Sequence, residues 1–277
     1  MEKWRIIQFG RFNAFENMAI DEAIFRECQG GHMPPTLRFY SWERDTVSMG
    51  YFQDAHREVN LDYCSANHID VVRRPTGGKA VLHENDLTYS VVARDDTTHF
   101  SSDIMETYRV ISECLIGGLH RIGIETQMME EGRSRTKATM DAYCFSVPSQ
   151  YELLVKGRKI CGSAQVRAKG AFLQHGSILI DTDPVHTHSA ITIEEGNSED
   201  GLERVKASVT SIRKNIGDGF TIASLCDGIS EAFEERLNVH FVDGAITREE
   251  ESLKKLLLQE KYTKDLWNVE GKRTNEN

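Results

Sequence analysis

The fold class is decided by the stretch Tyr151-Glu-Leu-Leu-Val-Lys-Gly-Arg-Lys-Ile-Cys-Gly-Ser-Ala-Gln-Val-Arg-Ala-Lys-Gly-Ala-Phe-Leu-Gln-His-Gly-Ser-Ile-Leu-Ile180. Three β-rich runs lie in it, at residues 151–155, 159–166 and 171–180. Short turns that contain Gly157 and Gly170 separate these runs, and such turns typically join neighbouring strands. The stretch therefore predicts three consecutive strands of one sheet.

Outward from this stretch, strands and helices alternate irregularly. The strongest helix prediction covers residues 103–122, because Gly123 follows a single apolar stripe made of Ile104, Tyr108, Ile111, Leu115 and Leu119. Residues 130–141 predict an exposed loop, and residues 194–203 a solvated acidic segment. Further helices are predicted at 13–29, 56–67, 221–237 and 247–260, and further strands at 4–9, 36–42, 46–52, 69–74, 80–83 and 87–92. Without a regular βαβ order, this pattern predicts an α+β class, a mixed β-sheet domain packed with helices.

Composition and charge exclude several function classes. The chain has 277 residues, of which 39% are hydrophobic, and its net charge is −10. A negative chain is a poor match for nucleic acid, which requires a positive surface. The apolar runs are much shorter than the roughly 20 residues of a membrane helix, and no signal peptide opens the chain. The six cysteines are scattered without a CxxC pair, and no cluster has metal-ligand spacing. We expect a cytoplasmic protein without nucleic-acid, membrane or metal partners.

A cationic glycine turn is the first candidate site. It reads Arg73-Arg-Pro-Thr-Gly-Gly-Lys-Ala-Val-Leu-His83. Two glycines permit positive φ angles, so the turn can present backbone N–H groups and Lys79 to an anion or a carbonyl. An ordinary surface turn with solvated charges is the alternative. The spacing of a P-loop is absent.

Lys159 and two thiols are further candidates. Lys159 precedes the small residues Gly162, Ser163 and Ala164, and a lysine facing such a slot would be partly desolvated and usable as a base or charge partner. A lysine on a sheet edge is the alternative. Cys144 lies in a non-periodic segment, where a thiol near a cation would be nucleophilic. Cys161 is a second thiol near Lys159. The residue context of His83 and His175 favours satisfied structural histidines.

Taken together, these motifs resemble the biotin/lipoate protein ligase and transferase family, and most closely its LipM-type subgroup of octanoyl-[acyl carrier protein]:protein octanoyltransferases. The resemblance covers roughly residues 1–265. The strings that carry it, in chain order, are Asn17-Met-Ala-Ile-Asp-Glu22, Arg38-Phe-Tyr-Ser-Trp42, Gly50-Tyr-Phe-Gln53, the Arg73–His83 turn, Leu87-Thr-Tyr-Ser-Val91, Cys144-Phe-Ser-Val-Pro148, Gly157-Arg-Lys-Ile-Cys-Gly-Ser-Ala-Gln165 and Leu173-Gln-His-Gly-Ser-Ile-Leu179.

The resemblance implies a mechanism and a set of site residues. Cys144 would accept the octanoyl group of octanoyl-acyl carrier protein as a thioester, with Lys159 lowering the pKa of its thiol. A lysine of the glycine cleavage H protein, or of another lipoyl domain, would then take the acyl group without ATP or any other cofactor. Arg73 and Lys79 would stand at the mouth of the acyl slot. The implied substrate-binding residues are Arg73, Gly77, Gly78, Lys79, His83, Gly162, Ser163, Ala164, His175 and Gly176.

The resemblance also implies an organisation for the chain. A single biotin/lipoate protein ligase-type catalytic domain would cover residues 1–277, with a core at about 33–245 and a C-terminal helix and polar tail at 246–277. We expect a monomer. We also expect a basic rim that attracts acidic partner proteins, formed by Arg73, Arg74, Lys79, Lys156, Arg158, Lys159, Arg167 and Lys169.

Three alternatives share these features. An ATP-dependent lipoate–protein ligase would use Lys159 and would not need Cys144. A lipoyl-domain octanoyl amidotransferase would also use a cysteine and a lysine, but the sequence around its cysteine differs. A carrier-protein binder without activity would need neither residue.

Overall fold

A computed structural model describes residues 1–31, 33–129, 152–191 and 199–271. Its larger sheet has eight strands, namely β1 (Glu2–Phe12), β2 (Thr36–Trp42), β6 (Asp86–Arg94), β7 (Gln127–Met128), β8 (Leu153–Val155), β9 (Arg158–Ala168), β10 (Ala171–Leu179) and β11 (Val239–Asp243). Their order across the sheet is β11-β1-β2-β6-β10-β9-β8-β7. Strand β1 is parallel to β2 and β11, and the other pairs are antiparallel.

A second sheet has three strands, β3 (Thr46–Met49), β4 (Asp70–Arg73) and β5 (Val81–His83). Strand β3 lies in the centre, parallel to β4 and antiparallel to β5. The helices are α1 (Ala14–Gln29), α2 (Ala55–Glu58), α3 (Leu61–Ala66), α4 (Ile104–Arg121), α5 (Pro184–Ala190), α6 (Glu199–Ser208), α7 (Ile212–Ile216), α8 (Ile222–Leu237), α9 (Arg248–Leu257) and α10 (Asp265–Asn268), with a π-helical turn at Leu258–Tyr262. The predicted α+β class with a mixed sheet is confirmed. Within the described ranges, no helix has the length and apolar character needed to cross a membrane.

The predicted run of three strands is confirmed, and its turns explain it. Lys156 and Gly157 have φ angles of 49° and 77°, and Lys169 and Gly170 have φ angles of 52° and 73°. Two successive positive φ angles are the signature of the two-residue hairpin turn whose twist matches that of antiparallel strands. Glycine at the second position adopts this conformation without steric cost. Both hairpins are therefore specified locally.

Two predicted segments differ from the structure. The predicted helix at 56–67 is two short helices, because Asn60 accepts a hydrogen bond from the Tyr63 N–H and begins a second helix. The acidic segment at 194–203 includes the start of helix α6 at Glu199. The loop predicted at 130–141 lies outside the described residues.

The core is wider than the expected 33–245. Trp4 and Ile6 of β1 are buried with Phe39 and Phe233, on the side of the large sheet that α4 and α8 cover. Helix α1 packs against α9 on the other side. The expected polar C-terminal tail is wrong as far as residue 271, because its aromatic side chains are buried in a cluster with α1 that includes Met18, Tyr262 and Trp267.

Candidate functional site

Strands of both sheets line a cavity of about 530 Å³, counting the space open to solvent at its mouth. Nine of the residues predicted from the sequence meet in its wall, although the sequence separates them by up to 98 positions. They are Gly78, Lys79, His83, Lys159, Gly162, Ser163, Ala164, His175 and Gly176.

Lys159 is a buried ion-pair partner. Its Nζ donates to Glu152 Oε1 at 2.6 Å, and the two side chains are 1% and 5% exposed. The alternative of a solvated lysine on a sheet edge is therefore wrong. A buried charge is stable only when paired, so Glu152 favours the ammonium form of Lys159. The result is a buried ion pair in the cavity wall.

Gly162 has a different function from the one expected. A Cβ atom at this position would lie 2.5 Å from Lys159 Cε and 2.7 Å from its Nζ. The space left by the missing side chain is therefore occupied by Lys159, which crosses Gly162 to reach Glu152. Gly176 is also tightly packed, since a Cβ there would lie 2.6 Å from the Gly162 carbonyl oxygen. These glycines shape the wall by allowing close contacts.

Arg73 does not stand at the mouth of the cavity, and that expectation is wrong. Its guanidinium is buried and donates to backbone carbonyls on two sides. On one side are those of Gly50, Tyr51 and Gln53, and on the other those of Trp267, Asn268 and Val269. The geometry makes Arg73 an anchor between the C-terminal segment and the body of the protein.

Arg74 points the other way and lines the cavity. One terminal nitrogen donates to the Ser48 hydroxyl at 2.8 Å, and the other donates to the carbonyls of Gly77 at 3.1 Å and Lys79 at 2.9 Å. Gly77 is thus held beside the cavity but is not part of its lining. Gly78 has a φ of +92°, which requires glycine. We call residues 74–79 the glycine loop.

Both predicted histidines line the cavity with their ring nitrogens engaged by protein groups. His83 contacts Asp86 through Nδ1 at 2.8 Å and Ser48 through Nε2 at 2.7 Å. His175 contacts Asp21 through Nδ1 at 3.2 Å and Thr76 through Nε2 at 2.7 Å. Neither ring is arranged to donate to or accept from a substrate.

Asp21 is the most strongly connected of these carboxylates. Its oxygens accept from Arg38 at 2.6 Å and from Tyr40 at 2.8 Å, in addition to His175. Burial opposes its ionisation, but the Arg38 guanidinium and the hydrogen bonds from His175 and Tyr40 hold the pKa of this carboxyl below its usual value. Burial has the opposite effect on the imidazole, because it lowers the pKa of His175. An ionised Asp21 beside a neutral His175 follows.

The predicted nucleophile has to be separated from the thiols that the structure describes. Cys144, the predicted nucleophile, lies outside the described residues. Cys161 is buried in the core on the helix-covered side of the large sheet, and burial raises the pKa of its thiol to about 12. A thiol with that pKa is not a nucleophile at neutral pH. The described cysteines Cys28, Cys64, Cys114 and Cys226 are also buried.

The expected basic rim is not a single surface. Arg73, Arg74 and Lys159 are buried. Lys156 and Lys169 are exposed, but they lie in the turns at opposite ends of β9. Only Lys79 of the eight cations is a half-exposed side chain in the cavity wall.

Eight lining residues were not among the predicted substrate-binding residues, namely Met18, Tyr40, Trp42, Ser48, Arg74, Val81, Thr88 and Ser177. Most of them lie inside the strings that carried the family resemblance, which was the available signal. The pair Asp21 and Glu22 within an apolar helix was a further signal. A charge on a buried helix face needs a partner, so this pair indicated a buried polar network beside the helix. Ser48 carried no signal.

Comparisons with known proteins identify the family of this chain. Residues 13–234 match the family described as the lipoyl protein ligase A/B catalytic domain. The octanoyltransferase LipM of Kyrpidia tusciae is 40% identical over 272 residues, covering 97% of this chain and 99% of that one. The octanoyltransferase LipM of Carboxydothermus hydrogenoformans is 40% identical over 271 residues, covering 96% and 98%.

Solved structures show the same fold. A bi-partite lipoate protein ligase from Thermoplasma acidophilum superposes with a TM-score of 0.84 at 28% identity, covering all of both chains. A lipoate-protein ligase A bound with ATP has a TM-score of 0.80 at 32% identity, covering 97% of this chain and 99% of that one. The resemblance inferred from the motifs is confirmed, and the chain belongs to the lipoyl protein ligase A/B catalytic domain family.

Proposed function

We propose that this chain is an octanoyltransferase that moves an octanoyl group from octanoyl-acyl carrier protein, through a Cys144 thioester, to a lysine of a lipoyl domain such as the glycine cleavage H protein. The observation that carries the proposal is a buried, carboxylate-paired lysine in the wall of a glycine-lined cavity. The full-length similarity to proteins named octanoyltransferase LipM supports octanoyl as the group transferred.

The first half-reaction forms the acyl-enzyme. The Cys144 thiolate, favoured by the Lys159 ammonium, attacks the thioester carbonyl of the donor. The carbon–sulfur bond to phosphopantetheine breaks, and the released thiolate takes a proton from the Lys159 ammonium and leaves as the thiol. Backbone N–H groups of the glycine loop are the proposed donors to the tetrahedral oxyanion.

The second half-reaction makes the amide. The acceptor lysine attacks the Cys144 thioester as a neutral amine, the bond from carbon to Cys144 sulfur breaks, and the nitrogen loses a proton. Lys159, after giving up a proton, is the proposed base. The overall reaction converts a thioester into the more stable amide and therefore lowers the free energy. We expect it to need neither ATP nor a metal ion.

Intact-mass analysis tests the nucleophile. The protein is incubated with octanoyl-acyl carrier protein in the absence of ATP, and we expect a hydroxylamine-labile octanoyl adduct. Cys144→Ala should abolish the adduct, whereas the matched change Cys161→Ala should leave it, because Cys161 is a core residue. An adduct that persists in Cys144→Ala would refute the proposed nucleophile.

An ATP-dependent ligase is the main competing function, since solved neighbours include a lipoate-protein ligase A bound with ATP. The same experiment separates the two functions. A ligase would give no thioester adduct from the carrier protein and would modify a lipoyl domain with free lipoate only when ATP is added.

A further inference from the structure

The two histidines of the cavity wall lie in chains of the same design. In each chain a carboxylate contacts Nδ1 and a hydroxyl contacts Nε2. Asp86, His83 and Ser48 form one chain, with distances of 2.8 and 2.7 Å. The other chain consists of Asp21, His175 and Thr76, with distances of 3.2 and 2.7 Å.

The direction of the hydrogen bonds follows from the carboxylates. A neutral imidazole whose Nδ1 donates to a carboxylate has a bare Nε2 that accepts from a hydroxyl, and the neutral His175 between Asp21 and Thr76 has this arrangement. The Ser48 hydroxyl in turn accepts from Arg74 at 2.8 Å. In both chains, each ring nitrogen is therefore engaged by a protein group.

Both chains connect the large sheet to the small one. His175 lies on β10 of the large sheet and reaches Thr76 in the loop that follows β4. Asp86 lies on β6 of the large sheet, whereas His83 and Ser48 lie on β5 and β3 of the small sheet. The cavity lies between these same strands, so the chains set the distance between its walls.

Both chains also end on the glycine loop. Thr76, the last member of one chain, belongs to the glycine loop. Arg74 donates to the Ser48 hydroxyl, the last member of the other chain, and also to the carbonyls of Gly77 and Lys79. The hydroxyls and imidazoles of the two chains are shielded from water, since Thr76 and Ser48 are fully buried and His83 and His175 are each 4% exposed. Buried hydrogen-bond networks of this kind are rigid and favour one arrangement.

We propose that His83 and His175 are positioning residues, which act through Ser48 and Thr76 to hold the glycine loop at the reacting end of the cavity. The kinetic part of this proposal rests on the proposed acyl transfer. If the loop stabilises the oxyanion, loosening it removes an interaction made only in the transition state. Such a change lowers kcat and leaves KM for the acyl donor almost unchanged.

The test compares Thr76→Val with Thr76→Ser. Valine keeps the size of threonine but removes the hydroxyl, and serine keeps the hydroxyl. We expect Thr76→Val to lower kcat for acyl transfer about 10- to 100-fold with KM within about twofold, and Thr76→Ser to restore most of the rate. Ser48→Ala should reproduce the effect through the other chain.

Thr107→Val is the matched control. Thr107 is equally buried, and its hydroxyl contacts Asp103 and Arg167 away from the cavity. It should lose similar thermal stability without losing kcat. Unchanged kcat in Thr76→Val, or equal kcat losses in Thr76→Val and Thr107→Val, would overturn the positioning function.

Hydrogen exchange separates this proposal from the proposed activity. Thr76→Val should speed exchange in residues 74–80 and leave α4 unchanged, whatever reaction the protein catalyses. A wild-type protein that transfers no octanoyl group would refute the proposed function alone, whereas unchanged exchange in residues 74–80 would refute the positioning chains alone.

Discussion

The ion pair between Lys159 and Glu152 allows a stability prediction with a worked magnitude. The charged atoms lie 2.6 Å apart, and both side chains are almost fully buried. At an effective dielectric constant of about 20, their attraction is about 6 kcal/mol. Desolvation of two ions costs several kcal/mol each, so the pair as a whole adds little net stability. Removing one partner takes away this ion pair while the other charge stays buried.

Glu152→Gln should therefore reduce the free energy of unfolding by about 3–5 kcal/mol. At roughly 2–4 °C per kcal/mol, this corresponds to a fall in Tm of about 6–20 °C. The double change Glu152→Leu with Lys159→Met should recover most of the loss, because no buried charge remains. That double variant should fold but transfer no octanoyl group, which separates the structural function of the pair from its chemistry.

Urea unfolding is the assay: Glu152→Gln is compared with the wild type, and the wild type, Glu152→Leu, Lys159→Met and their double variant form a four-member cycle. The four free energies of unfolding give the coupling between the two side chains. A loss below about 1 kcal/mol in Glu152→Gln, which is the size found for exposed ion pairs, would refute the reasoning, since it would mean that water reaches the pair in solution.

Three further predictions follow from individual contacts. Gly162→Ala should displace Lys159, costing about 1–3 kcal/mol and most of the acylation rate. Gly219→Ala is the control, because a Cβ there would have only one contact, at 3.7 Å. It should change neither the free energy of unfolding in urea nor the acylation rate followed by intact mass. In Arg73→Lys, the lysine cannot donate to both sets of carbonyls, so hydrogen exchange in residues 262–271 should become faster. Unchanged exchange would contradict the conclusion that Arg73 anchors the C-terminal segment. Because burial lowers the pKa of His175 below the ordinary 6.5, the unfolded state binds its proton more tightly. Thermal melts should thus show stability falling as pH drops below about 6.5, less steeply in His175→Gln; parallel pH curves for the two proteins would argue against a buried neutral imidazole.

Much of the site could be predicted because its residues lie in short strings with local meaning. The two hairpins are encoded by Lys-Gly turns, and the small residues after Lys159 indicated a slot. Which of two adjacent residues faces the site was not predictable in the same way. Arg73 and Arg74 are equivalent in the sequence, but Arg73 anchors the C-terminal segment while Arg74 enters the cavity.

The sequence by itself determined the α+β class, the hairpins and nine of the residues that meet in the cavity, because turns, periodicity and motif strings are local properties of the chain. Only the tertiary structure decided how those residues are used. Asp21, which contacts Nδ1 of His175, lies 154 positions away in the sequence, and Lys159 occupies the space beside Gly162. Hydrogen bonds and close contacts of this kind depend on sheet register and on how the two sheets face each other, and no local pattern encodes these.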